Sequence, residues 1–270
     1  MIAERVRASM GLRREASTIQ VYAEFASRFA KFTRKQGSFT EDDALAYIDH
    51  LIASGYSDSS VRWTYYALKR TYKAVGCPFP LTLEDLPLGL RRATERPVLS
   101  PDEVARLIAS ARSNGNKAER FYLAMSTVFG LRRVELSRLT RESFADGRVR
   151  IDTAKHGTPR KHLVPEEIQA IVKEALQADV TGYSISGLTA MFRELHDKAG
   201  LNRDGKLGWH SIRRSLDTCL LDSGLNYYSV RDFLRWKAPP SDMPALYHHS
   251  DPAEVDAAVF KVHPYIALWR

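Results

Sequence analysis

Two short segments of the chain carry charged side chains at a spacing suited to holding a phosphate. Arg132 follows the Gly130 break and Glu135 lies three residues further on, which predicts one face of a short helix for both. His210 and Arg213 repeat this spacing later in the chain. A guanidinium fork binds phosphate oxygens in pairs. Taken alone, the first segment is more typical of a surface ion pair, and the second could equally be a basic surface helix.

Three further residues add reactive or donor groups. Lys155 lies in a predicted turn, from which it could protonate a leaving-group oxygen, although most loop lysines are only solvated; Lys161 is the less favoured alternative. Tyr247 follows a proline-containing break at 237–240, and a phenolate can attack phosphorus to form a covalent ester. The chain has 12 tyrosines, so a tyrosine chosen at random is more often a core or surface residue. Trp236, just before the break, adds an indole N–H donor.

The elements that position these residues are mostly helices. Capping signals mark two helix starts, at Thr40 with Asp43 and at Ser100 with Glu103. Apolar residues at helical spacing predict helices over 17–33, 44–53, 60–74, 117–128, 134–139, 166–176, 186–199, 210–222 and 228–236. The chain shows neither an internal repeat nor an alternation of strands and helices.

A change of period marks the predicted strands. Alternating residues over 149–151 and 161–164 predict a short antiparallel hairpin. Within 210–222 the apolar residues predict an inward face, which leaves His210 and Arg213 on the outward one. The predicted fold class is therefore mainly α with a small antiparallel β-sheet.

The pattern along the chain predicts a division into four segments. A helical domain over 1–90 is followed by a basic linker over 91–99, which is rich in arginine and bounded by proline. A second domain, over 100–250, contains the predicted hairpin. The tail over 251–270 has an amphipathic pattern.

Composition narrows the class of protein and of partner. The chain has 270 residues, a net charge of +8 and a pI near 9.5, which favours a polyanionic partner. Its 44% hydrophobic and 27% charged residues exclude low-complexity and collagen-like chains. Cys77 and Cys219 support neither a disulfide framework nor a cysteine zinc cluster. Without a signal core or a membrane-spanning run, we expect a cytoplasmic protein that makes no membrane contact.

Taken in order, the motifs resemble the catalytic signature of the tyrosine recombinase (phage integrase) family, and the resemblance covers nearly the whole chain. The family's first arginine box looks like Gly130-Leu131-Arg132 with Glu135-Leu136. The family's hairpin lysine, second box, late His or Trp and nucleophile match Lys155, His210 with Arg213, Trp236 and Tyr247. One departure is Arg235, which stands where a glycine usually precedes the His or Trp.

The resemblance implies a helical core-binding domain, an α+β catalytic domain and site-specific strand exchange in DNA, as integration, excision or resolution. Tyr247 would attack a DNA phosphorus and form a 3′-phosphotyrosyl link, with no metal, no other cofactor and no ATP. Lys155 would protonate the leaving 5′-oxygen, and Glu135 would support the neighbouring charges. The groups implied to stabilise the pentacoordinate phosphorus are Arg132, His210, Arg213 and Trp236.

The family's partners are implied in the same way. They are double-stranded DNA and further copies of the chain, as a homotetramer on paired sites, with the tail over 251–270 passing to a neighbouring protomer. Exposed basic residues of the first domain and the linker are the candidate DNA contacts. These are Arg62, Lys69, Arg70, Arg91, Arg92 and Arg96.

Two other classes of function stay open. The segments 210–223 and 228–236, joined at Gly224, could form a helix-turn-helix in a DNA-binding regulatory protein, but that interpretation gives Arg132 and Lys155 no role. An enzyme resembling a type IB topoisomerase would use the same kinds of residue and relax supercoiled DNA without exchanging strands between partners.

Overall fold

A computed structural model describes residues 1–11, 14–86, 98–153, 159–201, 207–237 and 250–270. The chain divides into two compact units, Met1–Arg96 and Pro97–Arg270. The roles assigned to the four sequence segments stay predictions. In the described ranges, no helix is long and apolar enough to cross a membrane.

The first unit (Met1–Arg96) is helical. Its described helices are α1 (Ile2–Met10), α2 (Ala16–Thr33), α3 (Glu41–Ala53) and α4 (Asp58–Val75). Aromatic residues fill the core between them: Phe29 lies within about 6 Å of Phe39, Tyr47 and Tyr72, measured between ring centroids. Helix α1, which the sequence patterns did not predict, packs against α2 and α4.

The capping signals form as predicted. The Thr40 backbone N–H donates to Asp43 over 2.8 Å, and the Ser100 backbone N–H donates to Glu103 over 2.7 Å. In each pair the side-chain oxygen of the first residue accepts the backbone N–H of the second. Both boxes satisfy N–H groups that a helix start leaves without an intrahelical partner, which fixes the starts of α3 and α5.

The second unit (Pro97–Arg270) surrounds one central helix. Its described helices are α5 (Pro101–Asn114), α6 (Lys117–Phe129), α7 (Arg133–Ser137), α8 (Glu166–Gln177), α9 (Ile185–Lys198), α10 (Trp209–Asp222), α11 (Tyr227–Phe233) and α12 (Pro252–Val262), with 3-10 turns at Arg141–Ser143 and Ile266–Trp269. Helix α6 is buried along almost its whole length and contacts α5, α8 and α10. It is the core against which the other elements are placed.

A small antiparallel sheet completes the second unit. The strands are β1 (Phe144–Ala145), β2 (Arg148–Ile151) and β3 (Arg160–Leu163), in the order β1-β2-β3. The register pairs Val149 with His162, and both are buried. The β2–β3 pairing confirms the predicted hairpin. Strand β1 was not predicted, because two residues are too few to show a period.

The tail packs on its own unit in this single chain. Helix α12 contacts α11 and β3, and the 3-10 turn Ile266–Trp269 contacts α5, α6 and α8. The Trp269 indole N–H donates to Thr127 in α6 over 3.1 Å. Passage of the tail to a neighbouring protomer concerns an assembly, and it stays a prediction.

Candidate active site

Glu135 lies at the centre of a cluster of three arginines. Its side chain is fully buried, with Oε1 2.6 Å from Arg132 Nη1. Its Oε2 lies 3.6 Å from Arg235 Nη2 and 3.9 Å from Arg213 Nη1. The first pair is therefore not the surface ion pair that the short spacing alone would favour. One carboxylate faces three guanidinium groups, which leaves an excess of positive charge suited to an anion.

The turn after α6 brings Arg132 into this cluster. Gly130 ends α6 with φ 58°, in the left-handed region, and a Cβ there would lie 2.7 Å from Leu234 Cδ2. Arg132 then precedes α7, where its backbone N–H donates to Glu135 over 2.9 Å. Its side chain stays 24% exposed, so the guanidinium is both anchored by Glu135 and accessible from solvent.

Arg213 is fixed by backbone carbonyls. It donates to the carbonyl of Gly130 over 2.6 Å and to that of Leu234. The sequence pattern placed it on the outward face of α10, but only 3% of Arg213 is exposed, whereas His210 is exposed. That expectation was wrong for Arg213, because Glu135 and the two carbonyls give the buried guanidinium the partners that water would otherwise supply.

Burial and the neighbouring charges shift the pKa values of the groups in this cluster. Burial opposes ionisation of Glu135, but the charge of Arg235, the Arg132 backbone N–H and the charges of Arg213 and Arg132 hold its pKa below the ordinary value. Burial, together with the charges of Arg235 and Arg132, lowers the pKa of Arg213 to about 9. Burial lowers the pKa of Arg235 to about 10, although Glu135 opposes that shift. All three groups are therefore charged at neutral pH.

His210 and Trp236 flank the cluster along the chain. His210 lies in the first turn of α10, one turn before Arg213, and is exposed. Trp236 follows Arg235 and is partly buried, with its ring 6.2 Å from that of Tyr227. Contacts with Glu135 bring Arg132 and Arg213 together, whereas His210 and Trp236 are near the cluster in sequence, three residues before Arg213 and one after Arg235.

Several predicted site residues lie outside the described residues. Lys155 belongs to the connection between β2 and β3, and Tyr247 follows Lys237 in the segment that leads to Ser250. The linker candidates Arg91, Arg92 and Arg96 also lie outside. The roles of all five stay predictions. Within the described ranges, no group of three His, Cys, Asp or Glu side chains could hold a metal ion.

Arg235 is the site residue whose role sequence reasoning missed. It was noted as a departure from a family pattern, yet its side chain is fully buried against Glu135. It also donates to the carbonyls of Phe233 and Phe129, over 2.8 and 3.0 Å. The local feature of the sequence that could have indicated its burial is the position of an arginine within an apolar segment. Its φ of 57° also ends α11 at Phe233, three residues before the predicted end at 236.

His162 and Asp256 lie behind Arg235. His162 Nε2 is 2.9 Å from Arg235 Nη1, and His162 Nδ1 is 2.8 Å from Asp256 Oδ1. Asp256 Oδ2 accepts the backbone N–H of Leu163 over 2.8 Å. Burial lowers the pKa of His162 to about 4, so the ring is neutral at physiological pH.

Helix α4 of the first unit carries the remaining described candidates. Arg62 and Lys69 are exposed and, with the exposed Tyr66, follow one face of the helix. The Lys69 ammonium lies 5.9 Å from the centre of the Tyr65 ring. Arg70 is only partly exposed and donates to the carbonyl of Ser9 over 3.1 Å. Arg62 and Lys69 are thus available to a ligand, whereas Arg70 supports the packing of α1.

The chain is similar to known recombinases in sequence and fold. No family model matches it. It is 26% identical over 238 residues to the tyrosine recombinase XerA of Pyrococcus furiosus, a match that covers 81% of this chain and 79% of XerA. A lambda integrase (75–356) dimer bound to a COC′ core site has a TM-score of 0.68 at 14% identity, covering 93% of this chain and 97% of that one.

A lambda integrase tetramer bound to a Holliday junction has a TM-score of 0.66 at 17% identity, with 89% of this chain and 77% of that one covered. These two structures show the fold, and the similarity to XerA extends along most of both chains. The chain is therefore similar in sequence to a tyrosine recombinase over most of its length, and it has the fold of the lambda integrase structures.

Proposed function

We propose that the chain is a site-specific tyrosine recombinase that cleaves and rejoins duplex DNA through a 3′-phosphotyrosyl intermediate. The observation that carries this proposal is the buried Glu135 carboxylate, which draws Arg132 and Arg213 together and leaves Arg132 partly exposed. A fixed pair of guanidinium groups meets the requirement of a phosphoryl-transfer site, because preorganised donors stabilise the charge that develops on the nonbridging oxygens.

The reaction follows from the residues in their proposed roles. The Tyr247 phenol releases its proton to solvent and its oxygen bonds to phosphorus, while the bond from phosphorus to the 5′-oxygen breaks. Lys155 gives that oxygen a proton. Arg132 and Arg213, with His210 and Trp236, donate hydrogen bonds to the nonbridging oxygens of the five-coordinate phosphorus centre. In the reverse step a 5′-hydroxyl of the partner strand displaces Tyr247, so the ester conserves the bond energy and only protein side chains and DNA take part.

DNA binding would use surfaces outside this cluster. Arg62, Tyr66 and Lys69 offer two cations and an aromatic ring on one face of α4, a combination suited to backbone phosphates. The linker arginines Arg91, Arg92 and Arg96 would add phosphate contacts. By analogy with the lambda integrase assemblies, we infer dimers on a site and a homotetramer on paired sites, with the tail over 251–270 exchanged between protomers.

The proposal is tested with nicked suicide duplexes drawn from the DNA beside the gene. Cleavage should leave the protein bound to DNA after denaturation, and Tyr247→Phe should abolish that adduct. Tyr183→Phe, which alters another exposed tyrosine of the second unit, is the matched control and should cleave normally. An adduct that persists in Tyr247→Phe would assign the nucleophile to another residue.

The duplex experiment and a plasmid-relaxation assay distinguish the two alternatives. Tight binding without an adduct on any duplex indicates a DNA-binding regulatory protein. Relaxation of a supercoiled plasmid that lacks the site, without strand exchange, indicates an enzyme resembling a type IB topoisomerase.

A further inference from the structure

A continuous chain of buried side chains connects the C-terminal helix to the candidate active site. Asp256 of α12 contacts His162 of β3, His162 contacts Arg235, and Arg235 contacts Glu135. Asp256, His162 and the side chains of Arg235 and Glu135 are all 0% exposed. These residues come from four separate elements, so their meeting is a property of the folded unit and of no local motif.

The donor and acceptor atoms of these side chains set the direction of each hydrogen bond in the series. A guanidinium only donates hydrogen bonds, so His162 Nε2 must accept from Arg235. The ring proton then lies on Nδ1 and is donated to Asp256. Asp256 is held in turn by the backbone N–H of Leu163. From Arg235 to Asp256, each side chain thus contacts a complementary group of the next, although Arg235 Nε itself is buried without a hydrogen-bond partner.

Arg235 and Arg213 donate hydrogen bonds to the same two turns of the backbone. Arg235 donates to the carbonyls of Phe129 and Phe233, and Arg213 donates to the next carbonyl along the chain in each turn, those of Gly130 and Leu234. The first of these turns leads directly to Arg132. Both guanidinium groups therefore determine where the turn places the partly exposed arginine.

The backbone at Arg235 favours a different residue. Its φ of 57° lies in the left-handed region, where glycine carries no steric penalty and arginine does. An arginine at this position is thus opposed by local conformation and favoured by its buried partners. That conflict points to a requirement for the guanidinium itself.

We propose that Arg235 is a positioning residue, anchored through His162 to Asp256, that holds Glu135 and the turn at Phe129 so that Arg132 and Arg213 are aligned for DNA cleavage. This inference rests on the proposed recombinase function. Loss of the anchor should slow the chemical step far more than it weakens DNA binding, since a displacement of about 1 Å at a reacting group can lower a rate by about 10²-fold.

The test compares Arg235→Lys with Arg235→Met. Both keep the backbone strain and a long side chain, but only lysine keeps the charge and a donor. We expect adduct formation at saturating protein to slow by about 10-fold in Arg235→Lys and about 100-fold in Arg235→Met, with DNA affinity within about threefold of wild type. Asp256→Asn removes the negative charge at the end of this series of side chains that is farthest from Glu135. It should slow adduct formation by about three- to tenfold.

Two further measurements keep the test decisive. Asp179→Gly changes an exposed residue of the second unit with a similar φ of 53°, and it should cleave at the wild-type rate. If Arg235→Met does not fold, as judged by thermal unfolding, the rates of Arg235→Lys and Asp256→Asn decide the outcome. Wild-type rates in the folded variants, or equal losses of rate and affinity, would overturn the role of Arg235. A wild-type protein that forms no adduct would instead overturn the proposed function.

Discussion

The candidate DNA-binding residues of the first unit and the candidate active-site arginines of the second lie in opposite environments. In the first unit Arg62 and Lys69 lie exposed along α4, where they can move and attract phosphate by charge. In the second unit Arg213 and Arg235 are buried and fixed by backbone carbonyls and Glu135. An exposed cation can be replaced at the cost of affinity alone. Removal of a buried arginine leaves the remaining charges and carbonyls unsatisfied, so it lowers both stability and activity. We therefore expect a basic residue to affect stability in the second unit and only DNA affinity in the first.

The largest expected effect is that of Arg213→Ala. Removing this guanidinium leaves the carbonyls of Gly130 and Leu234 without their donor and, in the proposed mechanism, takes a donor from the reacting phosphate. We expect adduct formation to fall by about 10³-fold and the free energy of unfolding to fall by about 3 to 5 kcal/mol. Single-turnover cleavage and urea unfolding measure the two. Arg62→Ala, the exposed counterpart, should change stability by less than about 0.5 kcal/mol, and an equal loss in both variants would remove the contrast between the units.

Acidification should destabilise the second unit through two buried histidines. Burial lowers the pKa values of His162 and His263 to about 4 from the ordinary 6.5. In the unfolded chain both rings take up protons below pH 6.5, while in the folded chain they stay neutral. Their contribution is therefore complete above pH 6.5 and is lost as the pH falls towards 4, by about 3 kcal/mol for each ring.

Urea unfolding across that pH range measures this loss. His263→Gln should remove part of the pH dependence, whereas His50→Gln, at an exposed position in the first unit, should leave it unchanged. An unfolding free energy that does not fall with acidification would contradict the burial of the two neutral rings.

Two glycines with the same backbone conformation, one in each unit, differ in how closely the surrounding atoms pack around them. Gly130 and Gly76 both end helices with positive φ, but a Cβ at Gly130 would meet Leu234 at 2.7 Å, and one at Gly76 would meet nothing within 4 Å. We expect Gly130→Ala to cost about 2 to 3 kcal/mol and to slow cleavage, and Gly76→Ala to cost about 1 kcal/mol. Thermal unfolding of the two variants checks the difference, and equal costs would show that conformation, not packing, dominates at Gly130.

The smallest expected effect is confined to binding. Replacing Arg62 and Lys69 together by alanine should weaken DNA binding by about tenfold and reduce the slope of log K against log salt by about 2. Cleavage at saturating protein should stay at the wild-type rate, because the proposed role of both residues is to bind the DNA backbone and not to act on the reacting phosphate. Arg70→Ala, which loses a bond to Ser9, should leave the salt slope nearly unchanged. A fall in the saturated rate of the double variant would show that α4 contributes to the chemical step.

Local signals in the sequence predicted most of the helices, the two capping boxes and the hairpin, because periodicity and capping act within a few residues. Strand β1 was too short to show a period, and the end of α11 depends on the left-handed backbone of Arg235. Arg132, Glu135 and Arg213 were grouped by motif order, but the burial of Arg213 was not foreseen. The contacts of His162 join residues 73 and 94 positions apart, a separation at which no spacing pattern carries information.

The bond between Trp269 and Thr127 has a consequence for how the two units fold. It joins positions 142 residues apart and connects the tail to the central helix α6. Because contacts between distant positions slow folding, we expect the native core of the second unit to form after most of its helices have met. In the first unit the contact between α1 and α4 closes a shorter loop, with Arg70 lying 61 positions after Ser9. We therefore expect the first unit to reach its native state quickly, while the second passes through longer-lived, partly assembled states.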